Sequence, residues 1–389
     1  ATPPPLHTLA IYDDAPVFGG HEQMSCCGIE ALARAPHLHL VCYYHRHNHK
    51  LRKRLERIAI EHPNVRLIPL RHQSKKFQGL RSRFSGGRVR RLANQFRSDC
   101  IRAVLVLQGD IELSSLGVLA ANNLGIPAIS YIPVPHTLAT MQAKLGSLRD
   151  PFNKWLFKRP DSFITISEGM AEMLRARGAD QSITVVHNGF DASKTELRDP
   201  IEARRRLGLP EVHKLVAMVG RIEFKQKRQD FLIDCVARNF SRMENVHLVF
   251  VGSGPDSTTL KDKVNGYGLG DSATFIEWTD GLSDVYSAID LLCLPSRFEG
   301  VPLVMLEAMS VKVPIVASAR DGMKEFLPEE WLFTPDDETE CVDRILTTLA
   351  APNPVLIQKN QDLALTRFSM QTFNREFVDA TCRLAGFAA

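Results

Sequence analysis

No apolar run in this chain of 389 residues reaches the roughly 18 to 20 residues that a helical membrane span requires. The eight cysteines are scattered, with no C-x-x-C pair and no Cys/His spacing suited to zinc. Cys26 and Cys27 are adjacent, which fits neither a disulfide framework nor metal ligation. A reducing, cytoplasmic setting is therefore expected. The first residues, ATPPPLHT, lack the basic-then-apolar pattern of a secretory signal. Nor does D-x-D occur anywhere, so the chain offers no such carboxylate pair to a divalent ion. Short repeats and low-complexity tracts are also missing.

What is present is ordinary in bulk and uneven in detail. Hydrophobic residues make up 44% and charged residues 24%, as in globular proteins, and the length calls for two domains. Net charge is only +4, yet residues 46 to 97 hold sixteen Lys and Arg against two Glu. That stretch carries about +14, so the remainder must sum to about −10.

Short apolar runs alternate with amphipathic segments throughout. LHTLAIY, LHLVCYY, VRLIPL, IRAVLVL, IPAISYI, SFITIS and SITVV occupy the first half; KLVAMVG, VHLVFVG, ATFIEW, DLLCLP and VPIVAS follow. Strands that are apolar along their whole length, with helices between, predict parallel sheets covered on both faces. The expected class is therefore α/β, with two Rossmann-like, doubly wound domains facing across a cleft. A boundary is expected near residues 192–200, giving domains 1–195 and 196–369, with the helical segment 370–389 packing back on the first. Ligands should collect at the carboxyl ends of the strands.

One such end is SRFEGVPLVMLEAM, residues 296–309. Pro302 suits the first position of a helix, which leaves the N–H groups of Leu303 and Val304 as orphans. Free N–H groups at the positive end of a helix dipole form a phosphate site held by backbone, so apolar side chains are acceptable there. Glu299 and Glu307 would repel that phosphate but can accept from hydroxyls on either side of it. On spacing alone they are equally a loop glutamate and a helix-face glutamate. After KLVAMVG, the turn from Gly220 presents Arg221, Lys225, Lys227 and Arg228. Arginine forks onto phosphate oxygens and lysine supplies a point charge, although a solvated basic turn has the same composition. Ser167 has the position of an N-cap for EGMAEMLRARG, closed by Gly178.

The ordered set FGGHEQ, ISEGM, VHNGFD, VGRIEFKQK, VGSGP and PSRFEGVPLVMLEAM resembles the retaining, nucleotide-sugar-dependent glycosyltransferases of family 4, whose fold is called GT-B. Glu299 and Glu307 match the family's E-x7-E signature, and Arg221 and Lys227 its Arg/Lys pair. The resemblance implies that a hexose-type sugar moves from a nucleotide diphosphate donor, such as a UDP- or GDP-sugar, to a glycan or lipid-linked acceptor. It implies that Arg221 and Lys227 neutralise the leaving diphosphate. Backbone groups around Gly300, Val301, Leu303 and Val304 would hold the distal phosphate, Glu299 the sugar hydroxyls and Glu307 the ribose. Gly19, Gly20 and Gly220 would let backbone approach the donor. His136, in YIPVPHTL, is placed like the family's first-domain histidine near the sugar. Lys227 lies one residue later than is common in the family, which makes Lys225 its rival. No metal and no prosthetic group are implied, because fixed cations take the ion's part. The first domain would bind the acceptor and the second the nucleotide sugar.

Other readings stay open at this stage. A lone loop histidine such as His136 is often structural, and Asp13 and Asp14 would either touch the acceptor or cap a helix. The basic stretch 45–97 fits a solvated face, or attraction to an anionic membrane surface or a phosphorylated acceptor. Attraction to the membrane surface would make the protein peripheral on an inner membrane face. Nucleic acid is not an expected partner, since no base-reading motif accompanies the charge. A nucleotide-sugar hexosamine 2-epimerase of the same fold and a non-catalytic basic module are the alternatives to a transferase.

Overall fold

Each apolar run becomes a strand, and every pairing is parallel. The structure is a computed structural model that describes residues 7–16, 20–278 and 282–387, with backbone alone at 20–22. It divides into two compact units, Ala1–Gly189 with Gln371–Ala389, and Phe190–Met370.

The first unit holds a seven-stranded sheet: β1 (His7–Asp13), β2 (Leu38–His45), β3 (Val65–Leu70), β4 (Ala103–Leu107), β5 (Ala128–Tyr131), β6 (Ser162–Thr165) and β7 (Ser182–Val185), in the order β3-β2-β1-β4-β5-β6-β7. Both faces are covered by helices, so the central strands are buried along their length; β4 reads AVLVL with every residue buried. Tyr12, Tyr43 and Phe96 form an aromatic knot on one face, with Phe96 edge-on to both tyrosines. The helix Met370–Leu384 belongs to this unit from Gln371 onward. Its Phe377 sits where a Cβ on Gly28 would lie only 2.5 Å away, so glycine is what lets the two helices close.

The second unit holds six strands: β8 (Lys214–Val219), β9 (Val246–Val251), β10 (Ala273–Ile276), β11 (Leu291–Leu294), β12 (Ile315–Ser318) and β13 (Leu332–Phe333), in the order β10-β9-β8-β11-β12-β13. β13 was not expected: two residues are too few to show a period, and Leu332 and Phe333 read like any short apolar pair. Its core joins Leu232, Ile233 and Val236 of the helix Gln229–Arg238 to Val216, Leu248 and Phe250 of the sheet. The expected doubly wound α/β class is what the chain adopts. In each sheet the order reverses between two neighbours, β1/β4 and β8/β11, and crevices in such sheets open at that reversal. No helix among the described residues is long and apolar enough to cross a membrane.

Candidate functional site

The reversal between β8 and β11 brings together the two turns that the sequence singles out. The turn after β8 begins at Gly220, whose φ of +136° is glycine territory. Beside it runs the turn after β9: a Cβ on Gly252 would lie 2.1 Å from the Gly220 carbonyl oxygen, and one on Gly254 2.1 Å from that of Ile222. The glycines of VGSGP thus let one backbone press against the other.

Four hydrogen bonds tie the turn after β8 to the turn after β11. The backbone N–H of Arg297 donates to the Gln226 carbonyl (2.7 Å), and its Nη1 to the Lys225 carbonyl (3.2 Å). Gln226 Nε2 donates to the Phe298 carbonyl (3.3 Å). Lys227 Nζ lies 2.5 Å from Glu299 Oε1, with the lysine side chain 19% exposed and the glutamate 7%. Lys227, not its rival Lys225, is therefore the ammonium that meets the first glutamate.

Glu299 is fixed from the other side as well. Its N–H donates to Asp321 Oδ2 (2.8 Å), and the Gly322 N–H donates to the Gly300 carbonyl (3.0 Å). The next residues turn into the helix Leu303–Ser310. Here the expectation needs a small correction: Pro302 is the N-cap, with ψ of 127°, and Leu303 is the first helical residue. Proline's extended ψ at that position ends the turn one residue later than assumed. The consequence for the orphans is unchanged. Met305 and Leu306 donate back to the Pro302 carbonyl, no side chain caps the helix, and the N–H groups of Leu303 and Val304 have no intrahelical acceptor.

Glu307, one turn further, is half-buried and accepts from the Tyr286 hydroxyl at 2.8 Å. Burial raises its pKa, and the Tyr286 hydrogen bond and the Lys194 charge pull it part of the way back. Burial also raises the Tyr286 hydroxyl far above its ordinary value, so it stays a donor.

Other candidates stand apart. Arg221 shares the turn after β8, but its side chain is 65% exposed and lies 3.9 Å from Glu223, without a bond to Lys227 or Glu299. Arg228 is spent on Asp230 and Asp336. Gly19 lies outside the described residues, and Gly20 opens the helix Gly20–Ala33. His136 belongs to the first unit, buried in a loop that is braced less by its prolines than by charge. Arg177 Nη1 donates to the carbonyls of Pro135 (3.0 Å) and His136 (2.6 Å). Asp150 accepts from Arg177 and from the N–H groups of Leu138 and Ala139. Asp14 is fully buried, accepting from Ser74 Oγ and Tyr12, and Asp13 Oδ1 takes the Ala15 N–H. Ser167 caps the helix Glu168–Ala176 through Met170 N–H, as its position implies.

Sequence reasoning missed Arg297, Gln226, Tyr286, Lys194 and Asp321. Arg297 stands inside the quoted motif, yet only pairing of β8 with β11 shows that it faces the turn 72 residues earlier. Among the described residues no group of three or more His, Cys, Asp or Glu is arranged to hold a metal ion.

A phosphate-ready helix start facing a lysine-bearing turn, in a second doubly wound unit, is the arrangement of a GT-B protein. Two family models agree in sequence: "Glycosyl transferase 4-like domain" over residues 20–189 and "Glycosyl transferases group 1" over 213–351. The chain belongs to the group 1 glycosyl transferases. It is 30% identical over 256 residues to the D-inositol 3-phosphate glycosyltransferase of Stackebrandtia nassauensis, covering 59% of this chain and 57% of that one. It is 32% identical over 182 residues to the lipopolysaccharide core biosynthesis mannosyltransferase LpsB of Rhizobium meliloti, covering 45% and 50%. The chain spans about half the length of the curated relatives it matches. In structure it is similar to Anabaena Alr3699/HepE solved with UDP and glucose, with a TM-score of 0.75 at 18% identity over 97% of this chain and 100% of that one.

Proposed function

We propose that this protein transfers a hexose-type sugar from a nucleotide diphosphate donor to a glycan or lipid-linked acceptor, with retained anomeric configuration. The observation that carries the reading is the Lys227–Glu299 pair, set beside the unpaired N–H groups of Leu303 and Val304 at the β8/β11 reversal. As the bond between sugar and diphosphate breaks, negative charge grows on the leaving phosphate. Fixed ammonium charge and aligned N–H groups stabilise that charge without reorganising. Lys227 and Arg221 would supply the cations, Leu303 and Val304 the N–H groups, and Gly300 and Val301 the close backbone. Glu299 would hold sugar hydroxyls and Glu307 the ribose. His136 has a role by resemblance alone, near the sugar.

Glu299 is a poor candidate for a covalent nucleophile, because its charge is already engaged by Lys227. Retention would then proceed by attack of the acceptor on the face that the nucleotide leaves. UDP is the first donor base to try, since Alr3699/HepE was solved with UDP. With cations built into the turn, the reaction would need no divalent ion, and EDTA would leave the rate unchanged.

Thermal stabilisation by UDP, GDP and ADP tests the reading. A ligand at 100 times its Kd adds about 2.7 kcal/mol, and no shift with any of the three would sink it. Product analysis separates the epimerase, which returns an altered nucleotide sugar instead of free nucleoside diphosphate and glycoside. Residues 45–97 would also draw the protein to an anionic inner membrane surface. Salt-sensitive cosedimentation with anionic vesicles is the expected result, and indifference to salt and lipid charge would refute it.

A further inference from the structure

A pocket of about 620 Å³ opens in the first unit at the carboxyl ends of β1, β2 and β3 and along the helix Gly86–Ser98. Arg71 and Lys75 enter it from the segment after β3, and Arg88 and Arg91 from the helix. His45, His47 and His72 join them, and no carboxylate lines it. The same basic stretch shows what cations do when acids are within reach: Arg52 pairs with Glu56, Arg57 with Glu61, and Arg66 with Asp99. The four cations of the pocket have no such partner among the described residues. Four like charges around one concavity focus a positive potential that draws anions into it.

His72 is built into this arrangement. His72 Nε2 lies 3.0 Å from the Tyr12 hydroxyl, which donates to Asp14 Oδ2 (3.1 Å); Ser74 Oγ donates to the same oxygen (2.7 Å). With the Tyr12 proton committed to Asp14, Nε2 must carry the hydrogen in that contact. Nδ1 is then an acceptor, suited to a hydroxyl of the ligand and not to its phosphate oxygens. Burial holds His72 below its ordinary pKa; the Asp14 charge opposes this, and Arg88 and Arg91 add to it.

We infer that this pocket binds a phosphate group carried by the acceptor, a phosphorylated sugar or polyol. Four cations suit a dianion, and the volume is that of a site for a whole small ligand, several times a bare phosphate. The inference rests on the transferase reading for the word acceptor; phosphate binding itself does not depend on it.

The test is calorimetry on the whole chain with UDP present in excess, so that the diphosphate cradle in the second unit is filled. Inorganic phosphate and glucose 6-phosphate are titrated at low salt into wild type and into Arg88→Ala/Arg91→Ala. Both positions are exposed, so the variant should keep its melting temperature. Saturable binding that weakens with salt and drops about 10-fold or more in the variant supports the site. In a second arm, phosphatidylcholine vesicles with and without phosphatidic acid are sedimented with both proteins. Binding to phosphatidic acid that the variant loses, without saturable binding of the soluble esters, assigns the phosphate to a lipid headgroup. No binding in either arm, or equal binding by the variant, overturns the proposal. Phosphate binding lost in the variant of a protein that UDP fails to stabilise would keep the pocket and sink the transferase reading instead.

Discussion

Lys227 and Glu299 stand 72 residues apart in the chain and 2.5 Å apart in space, each the main charged partner of the other. Removing the ammonium therefore does two things at once. It deletes the proposed counter-charge for the leaving phosphate, and it leaves a buried carboxylate alone. Lys227→Ala should lower kcat about 100- to 1,000-fold. Breaking a fully buried pair costs about 3 to 5 kcal/mol, and the partial exposure of Lys227 puts this one at or below the lower end. Adding Glu299→Gln to Lys227→Ala should return much of the stability and none of the turnover. Lys225→Ala, which touches no such partner, should stay within a few-fold of wild type. Near-normal turnover in Lys227→Ala would count heavily against the assignment.

The turn that carries Lys227 is aimed by Arg297. Its guanidinium reaches the Lys225 carbonyl while its own N–H holds Gln226. Arg297→Ala removes the first bond and keeps the second, so the turn should loosen without coming free. A hydrogen bond from a charged donor contributes about 1.5 to 3 kcal/mol. The expected loss in kcat/KM is thus about 10- to 100-fold, with the melting temperature lowered by a few degrees. Equal kcat/KM in variant and wild type would show that the β8 turn needs no such brace.

How far the sequence reaches is clear from these residues. Twelve runs apolar along their length were legible as strands because a parallel sheet covered on both faces leaves no polar positions to confuse them. β13, with two residues, had no pattern to read. Glu299, Glu307 and Lys227 were legible because a spaced motif carried them. What escaped was everything set by strand order. Arg297 on the β8 turn, Tyr286 on Glu307 and Asp321 on the Glu299 N–H join positions that only the sheet brings near. The basic stretch shows the same limit. Its charge was visible, but the sorting into acid-paired arginines and an unpaired set around one pocket belongs to the folded chain.

Gly252 is where the turn after β9 meets the turn after β8. Its φ is +131°, and an added methyl would sit 2.1 Å from the Gly220 carbonyl oxygen, a backbone atom that cannot swing away. Gly252→Ala should therefore displace the segment that carries Arg221 and Lys227. Strain at such a position costs about 1 to 3 kcal/mol, and the clash adds to it. UDP stabilisation should vanish in the variant. Gly266→Ala is the matched control: the methyl meets nothing within 4 Å at the end of the helix Ser257–Gly266, and stability should hold or rise by up to about 1 kcal/mol. Equal melting temperatures and equal UDP binding in the two variants would disprove the close approach.

Glu307 gives the proposed donor site a pH limb. An ionised carboxylate accepts ribose hydroxyls with both oxygens, and a protonated one loses half of that capacity. Burial raises the Glu307 pKa, so the proton returns at a higher pH than for an exposed glutamate. UDP affinity should consequently fall on acidification, beginning above the ordinary carboxylate range. Tyr286 donates to the ionised form and holds the pKa down; Tyr286→Phe removes that bond and should move the limb to still higher pH. Glu307→Gln has no carboxylate to titrate, so its UDP affinity should be about 10-fold weaker near neutrality and follow only the titration of UDP's own terminal phosphate, at about pH 6, through the same range. Calorimetric Kd values for UDP between about pH 5 and pH 8 decide it. A limb that survives unchanged in Glu307→Gln would belong to another group, and the ribose role of Glu307 would be lost with it.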